Sequence, residues 1–551
     1  MMHDWMKSGS PWIWMNAAAV SLSIIIVLGL LALIAVRGLG HFWPARVVEQ
    51  NYNPPNAQAL RVIGEIHDTE AVSAESLKDM GLALESDAKW LQRRLIKTGN
   101  RDILGSDFRW LLDIYTSESR YPKEVITIER REWGNFYGFL TTIKENGIVI
   151  AEGEAAWQET LKRLQRAQEI FKEIRYIEKD EIGDINYGIE TLRLKQRRLE
   201  LKKELTETRH QNIGRERAIL QGEYRRLQKT LSTLYKDIGR DSITAIVMNG
   251  QIVTIPLSKV VRMYRSNTLN VFQRLGLYFS KMWEFVSDEP REANTEGGIF
   301  PAIFGTVMMV TIMSLMVTPF GVVAAIYLRE YAKQGVITRT IRIAVNNLAG
   351  VPSIVYGVFG LGFFVYFLGG NIDQLFFPEA LPAPTYGTPG ILWSSLTLAI
   401  LTVPVVIVAT EEGLSRIPRA IREGSLALGA TKAETLWRTV LPMTTPAIMT
   451  GMILAVARAA GEVAPLMLVG VVKLAPSLPL DDNFPFLHLD RKFMHLGFHI
   501  YDVGFQSPNV EAARPLVYAT ALLLVLVIVI LNLAAIWLRN RLRERYRGLE
   551  S

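Results

Sequence analysis

The chain has 551 residues, enough for several domains, and 49% of them are hydrophobic while only 21% are charged. It contains no cysteine, which excludes disulfides, cysteine metal sites and cysteine nucleophiles. In a soluble protein, the formal net charge of +7 would point to nucleic acid. Here much of the excess stands beside long apolar stretches, so membrane topology explains it better and no nucleic-acid partner is expected.

Long stretches without charge predict that the chain crosses a membrane six times, with lipid around it. A helix needs about 20 residues to cross a bilayer core of roughly 30 Å. A stretch at 443–472 is interrupted only by Arg458 and Glu462. Five further stretches of this length carry no charge at all, which argues against helices of a soluble core. They are 12–36, 299–328, 343–371, 391–410 and 515–538.

The N-terminal segment, 1–39, contains the first predicted span. Its uncharged stretch is longer than the apolar region of a signal peptide, about 7–15 residues, so we interpret it as a retained anchor. After the last span, 539–548 carries five Arg and one Glu, which places the C-terminus in the cytoplasm. With six spans, the N-terminus is then cytoplasmic and 40–298 is extracytoplasmic. The first span agrees less well, because Arg37 and Arg46 follow it.

The extracytoplasmic segment 40–298 has the composition of a soluble domain. Residues 107–149 contain short mixed strands. Residues 242–257 predict a β-hairpin, because Asn249 and Gly250 suit a type I′ turn between two runs of β-branched residues. The segment is therefore predicted to be an inserted α+β domain.

A strongly charged part of this domain, 151–240, contains 20 Lys or Arg and 16 Asp or Glu. Its apolar residues recur in alternating steps of four and three, as in a coiled-coil seam. We predict a coiled-coil hairpin over about 155–238, with a turn near 181–190, which has two glycines. The hairpin is either a spacer packed on itself or a docking arm for a partner. One seam comprises Leu220, Tyr224, Leu227, Leu231 and Leu234, and another comprises Ala167, Ile170, Ile174 and Ile177.

A polar loop, 411–442, joins the predicted fourth and fifth spans and carries the most specific motif. In it, Glu423 is followed by Gly429 and then by Leu441 and Pro442. A glycine permits a tight turn, and a proline is harmless where the next helix starts. This spacing resembles the EAA loop of ABC importer permeases, with small substitutions at its two alanines and its isoleucine.

The resemblance implies that the short helix of this loop docks on an ATP-hydrolysing subunit. The alternative is an ordinary amphipathic helix that lies on the membrane face. The chain has no G-x-x-x-x-G-K-[ST] phosphate loop, so ATPase activity is expected on partner subunits and no cofactor is expected here.

Residues 297–331, 346–362, 457–467 and 498–538 resemble the permease of the phosphate-specific ABC importer, the PstA type. The resemblance implies a mainly α, polytopic fold of six transmembrane helices, the type I ABC importer permease fold, in a bacterial cytoplasmic membrane. The implied partners are a homologous second permease subunit, two ATP-binding subunits and an extracytoplasmic phosphate-binding protein. The predicted domains are 1–39, the long insert 40–298 and the permease core 299–545.

Arg458 and Glu462 are predicted to lie one turn apart on one face of the fifth span. A charge at mid-membrane costs at least about 2.5–3.5 kcal/mol, so it usually faces a cavity or a partner. The two residues either lock helices together, or Arg458 offers its cationic fork to a phosphate oxyanion in the pathway. The resemblance supports the pathway role for Arg458. Glu462 would then hold Arg458 in position or accept a proton from phosphate.

Three histidines, His488, His495 and His499, cluster late in the chain, and the last two have the spacing of metal ligands on a helix. Their expected place in an outer loop favours ordinary loop residues, so no metal site is predicted. Two other functions stay open: a permease for another oxyanion, such as sulfate or molybdate, or for an organic solute, and a membrane-anchored coiled-coil sensor or scaffold. The loop 411–442 argues against the sensor, which needs no ATPase docking site.

Overall fold

We describe a computed structural model of the chain, which covers residues 10–55, 58–79, 88–507 and 510–546. These residues form two compact units. Phe42–Gly298 is one unit, and the residues before and after it form the other. Helix α1, Ser10–Gly40, belongs to the second unit and is long and apolar enough to cross a membrane.

The Phe42–Gly298 unit contains two antiparallel sheets, and the first is a four-stranded meander in the order β1-β2-β3-β4. Strands β1 to β3 are absent from the sequence-based prediction, because polar and charged residues break the two-residue alternation of β2. The bounds are β1 Val47–Tyr52, β2 Leu60–Ser73, α2 Ala74–Asp79, β3 Trp90–Lys97, α3 Arg101–Leu104 and β4 Phe108–Leu112.

The second sheet has the strand order β10-β5-β6-β8-β9, and β7 also pairs with β6. It confirms the strands expected within 107–149 and the hairpin within 242–257. The turn is different, because only Gly250 adopts a left-handed φ, of +81°, and its N–H donates to the Val247 carbonyl. It is a type I turn followed by a left-handed glycine. The bounds are β5 Val125–Arg130, β6 Asn135–Glu145, β7 Ile148–Glu152, β8 Asp241–Ile246, β9 Ile252–Pro256 and β10 Val260–Tyr264.

Between β7 and β8 the chain forms a long helical hairpin. Its outgoing arm joins α4, Gly153–Tyr176, through one π-helical segment to α5, Ile182–Leu201, and α6, Glu207–Ile238, returns. The predicted turn at 181–190 is therefore wrong, because these residues are helical. Gly188 instead allows the two arms to pack closely, because a Cβ there would come within 3.1 Å of Leu220 Cδ1 on the returning arm.

After the second sheet, the chain forms α7, Val271–Ser287, and a short ribbon of β11, Pro290–Arg291, and β12, Glu296–Gly297. A capping box formed by Asn270 and Gln273 starts α7. These elements complete the Phe42–Gly298 unit.

Six helices in the described residues are long and apolar enough to cross a membrane, which confirms the predicted number. The third span begins at Ser353 rather than near 343, because α9 ends at Leu348 and Pro352 precedes the next helix. The helices are α8 Phe300–Ile326, α9 Val336–Leu348, α10 Ser353–Phe359, α11 Gly370–Phe376, α12 Ile391–Arg416, α13 Arg419–Ala427, α14 Lys432–Thr435, α15 Leu441–Gly461, α16 Leu466–Val469, α17 Leu496–Tyr501 and α18 Val510–Tyr546.

Helix α12 is the most buried of these spans and packs against α8 and α15, while α18 packs against α15 and α1. Small residues allow the close approach. A Cβ at Gly451 of α15 would lie 2.7 Å from Ala409 Cβ of α12. Membrane helices often meet at such small residues, because lipid offers no hydrophobic drive for larger side chains to meet.

Candidate functional site

The fifth membrane span is interrupted at the position of the two charges. Helix α15 ends at Gly461, and Glu462 is extended, with φ of −77° and ψ of 137°. The chain becomes helical again only in the short α16. The predicted continuous span over 443–472 is therefore wrong. Pro465 is one local reason, since the residue before a proline avoids the helical region.

The structure brings Arg458 and Glu462 together, although they do not share one helix. Arg458 lies in the last turn of α15, and its Nε is 3.7 Å from Glu462 Oε1. This distance exceeds a hydrogen bond, so the two groups form an ion contact without a bidentate fork. The Arg458 side chain is 34% exposed to solvent. A cation is also favourable at a helix C-terminus, where the helix dipole is negative.

The chain beyond this break packs against the third and fourth spans. A Cβ at Gly357 would come within 2.7 Å of Pro465 Cα, and one at Gly360 would meet Thr397 and Val469. Interrupted helices are tolerated at membrane depth only where they are buried in protein or line a cavity. In transporters such breaks frequently form substrate sites. Arg458 therefore lies in the helical turn that precedes such a break.

The loop between α12 and the fifth span forms a short helix, α13, and a tight turn. Gly429 has a left-handed φ of +88°, which agrees with the need for glycine at this position. Thr431 then begins a new helix through a capping box with Glu434. The helix runs through one π-helical segment without a break to Gly461. Pro442 therefore lies inside this helix, and the expectation that it starts the helix is wrong.

One side of α13 is braced against the protein, and the other is exposed. Arg422 forms a 2.9 Å ion pair with Glu330, which lies at the end of the second span. Ser425 and Thr435 share a hydrogen bond of 2.9 Å. By contrast Glu423 is exposed, and Leu428 keeps 92% of its exposure. Leu428 directly follows α13, and an exposed leucine beside a fixed helix is suited to contact another protein.

The remaining residues of the predicted motif are in the helix after the turn. Leu441 and Pro442 are both partly buried. Buried apolar side chains from the end of α12, the residue after it and the helix that follows the turn form a nearby cluster, which contains Leu414, Ile417, Leu436 and Val440.

The ion pair of Arg422 with Glu330 is absent from the sequence-based prediction. The Lys432 ammonium also donates to the Glu330 carbonyl oxygen, so both sides of the Gly429 turn are tied to the same residue. The sequence offers one signal for this ion pair. Glu330 is an acidic residue within a connection, 329–342, whose other charged residues are all basic.

The three late histidines do not form a metal centre in the described residues, where no group of three or more potential ligands occurs. His488 contacts Asp481, at 2.9 Å. His495 and His499 are buried rather than exposed in a loop. Burial lowers the pKa of His495 to about 3, so this imidazole is neutral at ordinary pH. It caps α17 by accepting a hydrogen bond from the Gly497 N–H.

Comparison with known proteins gives several relatives. YqgI of Bacillus subtilis, a probable ABC transporter permease protein, is 30% identical over 270 residues, or 48% of this chain and 85% of its own. The phosphate transport system permease protein PstA 1 of Mycobacterium tuberculosis is 34% identical over 252 residues, or 46% of this chain and 72% of its own. A structure of the MetNI methionine ABC transporter in inward-facing conformations covers 48% of this chain and 98% of its own, at 17% identity and a TM-score of 0.33.

PstC of Methanocaldococcus jannaschii, a probable phosphate transport system permease protein, is 27% identical over 304 residues, or 53% of this chain and 91% of its own. The model of one family, described as binding-protein-dependent transport system inner membrane component, matches residues 317–548. That range contains α12, the loop with Gly429, the interrupted fifth span and Arg458. With six apolar helices, the protein is a multi-pass membrane protein. The chain belongs to the family of binding-protein-dependent transport system inner membrane components, as an ABC permease whose relatives include PstA-type proteins.

Proposed function

We propose that this chain is the permease subunit of an ATP-driven importer that moves inorganic phosphate across the cytoplasmic membrane by alternating access. The names of its relatives support phosphate as the substrate. The observation that carries the mechanism is one continuous helix, Lys432–Gly461, which joins the Gly429 turn to the last turn with Arg458. At about 1.5 Å per residue, this helix transmits motion over roughly 45 Å.

The exposed end of this connection is the proposed ATPase docking site. Helix α13 with Glu423, and Leu428 directly after it, face a cleft on a separate ATP-binding subunit. Gly429, Leu441 and Pro442 hold the helix that carries the motion into the membrane. The ion pair of Arg422 with Glu330 supports this role, because it makes the second span and the loop move together. ATP hydrolysis takes place on two such partner subunits.

The other end of the connection is the proposed substrate pathway. Arg458 offers guanidinium N–H groups to phosphate oxygens, for which its planar fork is well suited. Glu462 holds the guanidinium between transport cycles, since the observed contact is long enough to be exchanged for an oxyanion. The partial exposure of Arg458 supports this role, because the guanidinium in this chain is accessible to a ligand.

The proposed complex contains a homologous second permease subunit, two ATP-binding subunits and an extracytoplasmic phosphate-binding protein. Both termini of this chain are cytoplasmic, and the Phe42–Gly298 unit is extracytoplasmic. The excess of Arg in 539–548 supports this orientation. The binding protein therefore delivers phosphate on the side of the Phe42–Gly298 unit.

The test is ATP-dependent uptake by the complete complex in proteoliposomes, with phosphate, sulfate and molybdate as separate substrates. We expect phosphate to accumulate without competition from the other two anions. Accumulation of sulfate or molybdate instead would contradict the substrate. No ATP-dependent uptake of any oxyanion would contradict the mechanism as well.

A further inference from the structure

Helix α7 of the Phe42–Gly298 unit exposes a face that is entirely apolar. At 100° per residue, its exposed large side chains fall within less than half of the helix circumference. Phe272 keeps 84% of its exposure, and Trp283 keeps 73%. Single exposed apolar residues are ordinary on proteins, but a continuous aromatic stripe marks a contact surface. We call this stripe the α7 apolar face; it comprises Val271, Phe272, Leu275, Phe279, Trp283 and Val286.

The opposite face of α7 forms ion pairs with other residues of the Phe42–Gly298 unit. Lys281 lies 2.6 Å from Glu129, and Glu284 pairs with Arg262 at 2.9 Å. Phe285, on the same side, is buried. This arrangement reverses the usual pattern of a surface helix, in which charges face water and apolar groups face the core. The rotation of α7 is thus fixed with its aromatic side outward.

Chain connectivity places α7 close to a membrane surface. Trp43 and Phe42 pack on α7, with ring centroids 5.8 Å apart between Trp43 and Tyr278 and 5.1 Å between Phe42 and Phe285. Trp43 stands three residues after Gly40, the last residue of the span α1. Three residues reach at most about 11 Å at 3.3–3.6 Å each. The middle of α7 is therefore held within a short distance of the point where the chain leaves the membrane.

We propose that α7 is an interfacial anchor whose apolar face enters the headgroup and acyl boundary of the leaflet at which α1 ends. Helices that lie in this boundary carry Trp, Phe and Leu on one face, and aromatic residues favour the same depth. The occupant is the bilayer rather than another protein, because Phe42 and Trp43, which pack on α7, follow the membrane span α1 within three residues. The anchor would fix the Phe42–Gly298 unit at the membrane surface and is independent of the transported substrate.

Because the chain has no cysteine, single spin labels report directly on this face. The labelled variants are Phe279→Cys and Trp283→Cys on the apolar face, with Ser280→Cys on its polar flank as the matched control. Ser232→Cys, exposed on α6, is the aqueous standard, and Ile25→Cys in α1 is the lipid standard. Each full-length variant is reconstituted in vesicles of phosphatidylethanolamine and phosphatidylglycerol. Accessibility is measured to oxygen, which partitions into lipid, and to a water-soluble nickel chelate.

We expect the oxygen-to-nickel accessibility ratio at 279 and 283 to be several-fold above that at 280 and 232 and to approach that at 25. The labels should also remain mobile. A high nickel accessibility at 279 and 283 would show that the face is in water and would overturn the anchor. Immobilised labels that neither reagent reaches would show a protein contact and would overturn it equally.

Discussion

The surroundings of Arg458 determine how much its charge costs within the membrane. In a continuous helix its charge would have to be balanced within the span, at a cost of at least about 2.5–3.5 kcal/mol on insertion scales. The structure instead places it in the last turn of α15, beside an extended Glu462. The helix dipole and the ion contact both lower this cost. The guanidinium is therefore stabilised without forming a close, hydrogen-bonded ion pair with Glu462.

We predict that Arg458→Ala lowers phosphate uptake at least about tenfold, because a hydrogen bond to a charged group contributes about 1.5–3 kcal/mol. Arg458→Lys should keep part of the activity, since it retains the charge but loses the planar fork. The measurement is uptake of radiolabelled phosphate in proteoliposomes. Co-purification of the partner subunits is the control for assembly. Normal uptake by an assembled Arg458→Ala complex would refute the pathway role.

Glu296 makes the Phe42–Gly298 unit sensitive to pH near neutrality. Burial, assisted by the negative charge of Glu292 and opposed by Lys97, raises the pKa of the Glu296 carboxyl to about 7. Its folded-state pKa therefore lies above its unfolded value. The stability it contributes is complete below about pH 4.5 and is lost as the pH rises through about 7.

Glu296→Gln should remove this dependence, because the amide stays neutral. We expect wild type to lose on the order of 1–3 kcal/mol relative to Glu296→Gln between about pH 5 and 8. Thermal unfolding of the full-length chain in detergent, followed by tryptophan fluorescence, measures the difference. Glu129, whose pKa is held at about 2 by Lys281 and Arg262 despite its burial, should show no loss over this range. Parallel stability curves for the wild type and the variant would contradict the prediction.

Helix α13 combines a rigid base with an exposed tip. Its base is fixed by Arg422 and by a hydrogen bond between Ser425 and Thr435. The Gly429 turn stands in open space, since a Cβ there would meet nothing within 4 Å. This element can therefore meet a partner without rearranging the chain behind it.

Leu428→Asp should weaken ATPase binding at least about tenfold, because burying a leucine contributes roughly 1.5–3 kcal/mol. The chain itself should keep its stability, since Leu428 is 92% exposed. Leu201→Asp, at an exposed leucine of the helical hairpin, is the matched control. Co-purification of the ATPase with each variant measures the effect. Equal recovery with both variants would argue that α13 does not dock.

The helical hairpin buries its predicted seam between its own arms. Leu227 and Leu231 of α6 are buried in one core with Ile174, Ile177 and Ile185 of the outgoing arm. The apolar side chains that could have packed against a partner's helix are therefore already buried within the hairpin. This packing favours the spacer over the docking arm.

The structure also defines how the hairpin can be shortened. Removing 155–238 would destroy the second sheet, because Ala156 and Leu164 belong to its core. Replacing 186–222 by a short Gly-Ser linker keeps that core and joins residues that face each other across the hairpin. We predict normal assembly and uptake close to wild type. Loss of uptake in a fully assembled complex would instead identify the distal hairpin as a docking arm.

At the scale of the whole molecule, the two units have different kinds of core. The Phe42–Gly298 unit has buried cores on its sheets, whereas the other unit has a core of apolar side chains between its membrane helices, with close helix contacts at small residues such as Gly451. The family match covers only residues of the second unit. The sensor or scaffold alternative would gain support only if no ATPase co-purified with the intact chain.

The number of membrane spans follows from the sequence alone, because hydropathy adds up over a window and requires no knowledge of neighbours. The heptad spacing of Leu227 and Leu231 likewise defines a helix face. The end of α15 at Gly461, the helical state of 181–190 and the outward aromatic face of α7 depend on contacts with distant residues. Pro465 packs on Gly357, Gly188 on Leu220, and Glu284 pairs with Arg262. Local composition alone does not decide these features, even where a proline such as Pro465 contributes, since partners far along the chain complete them.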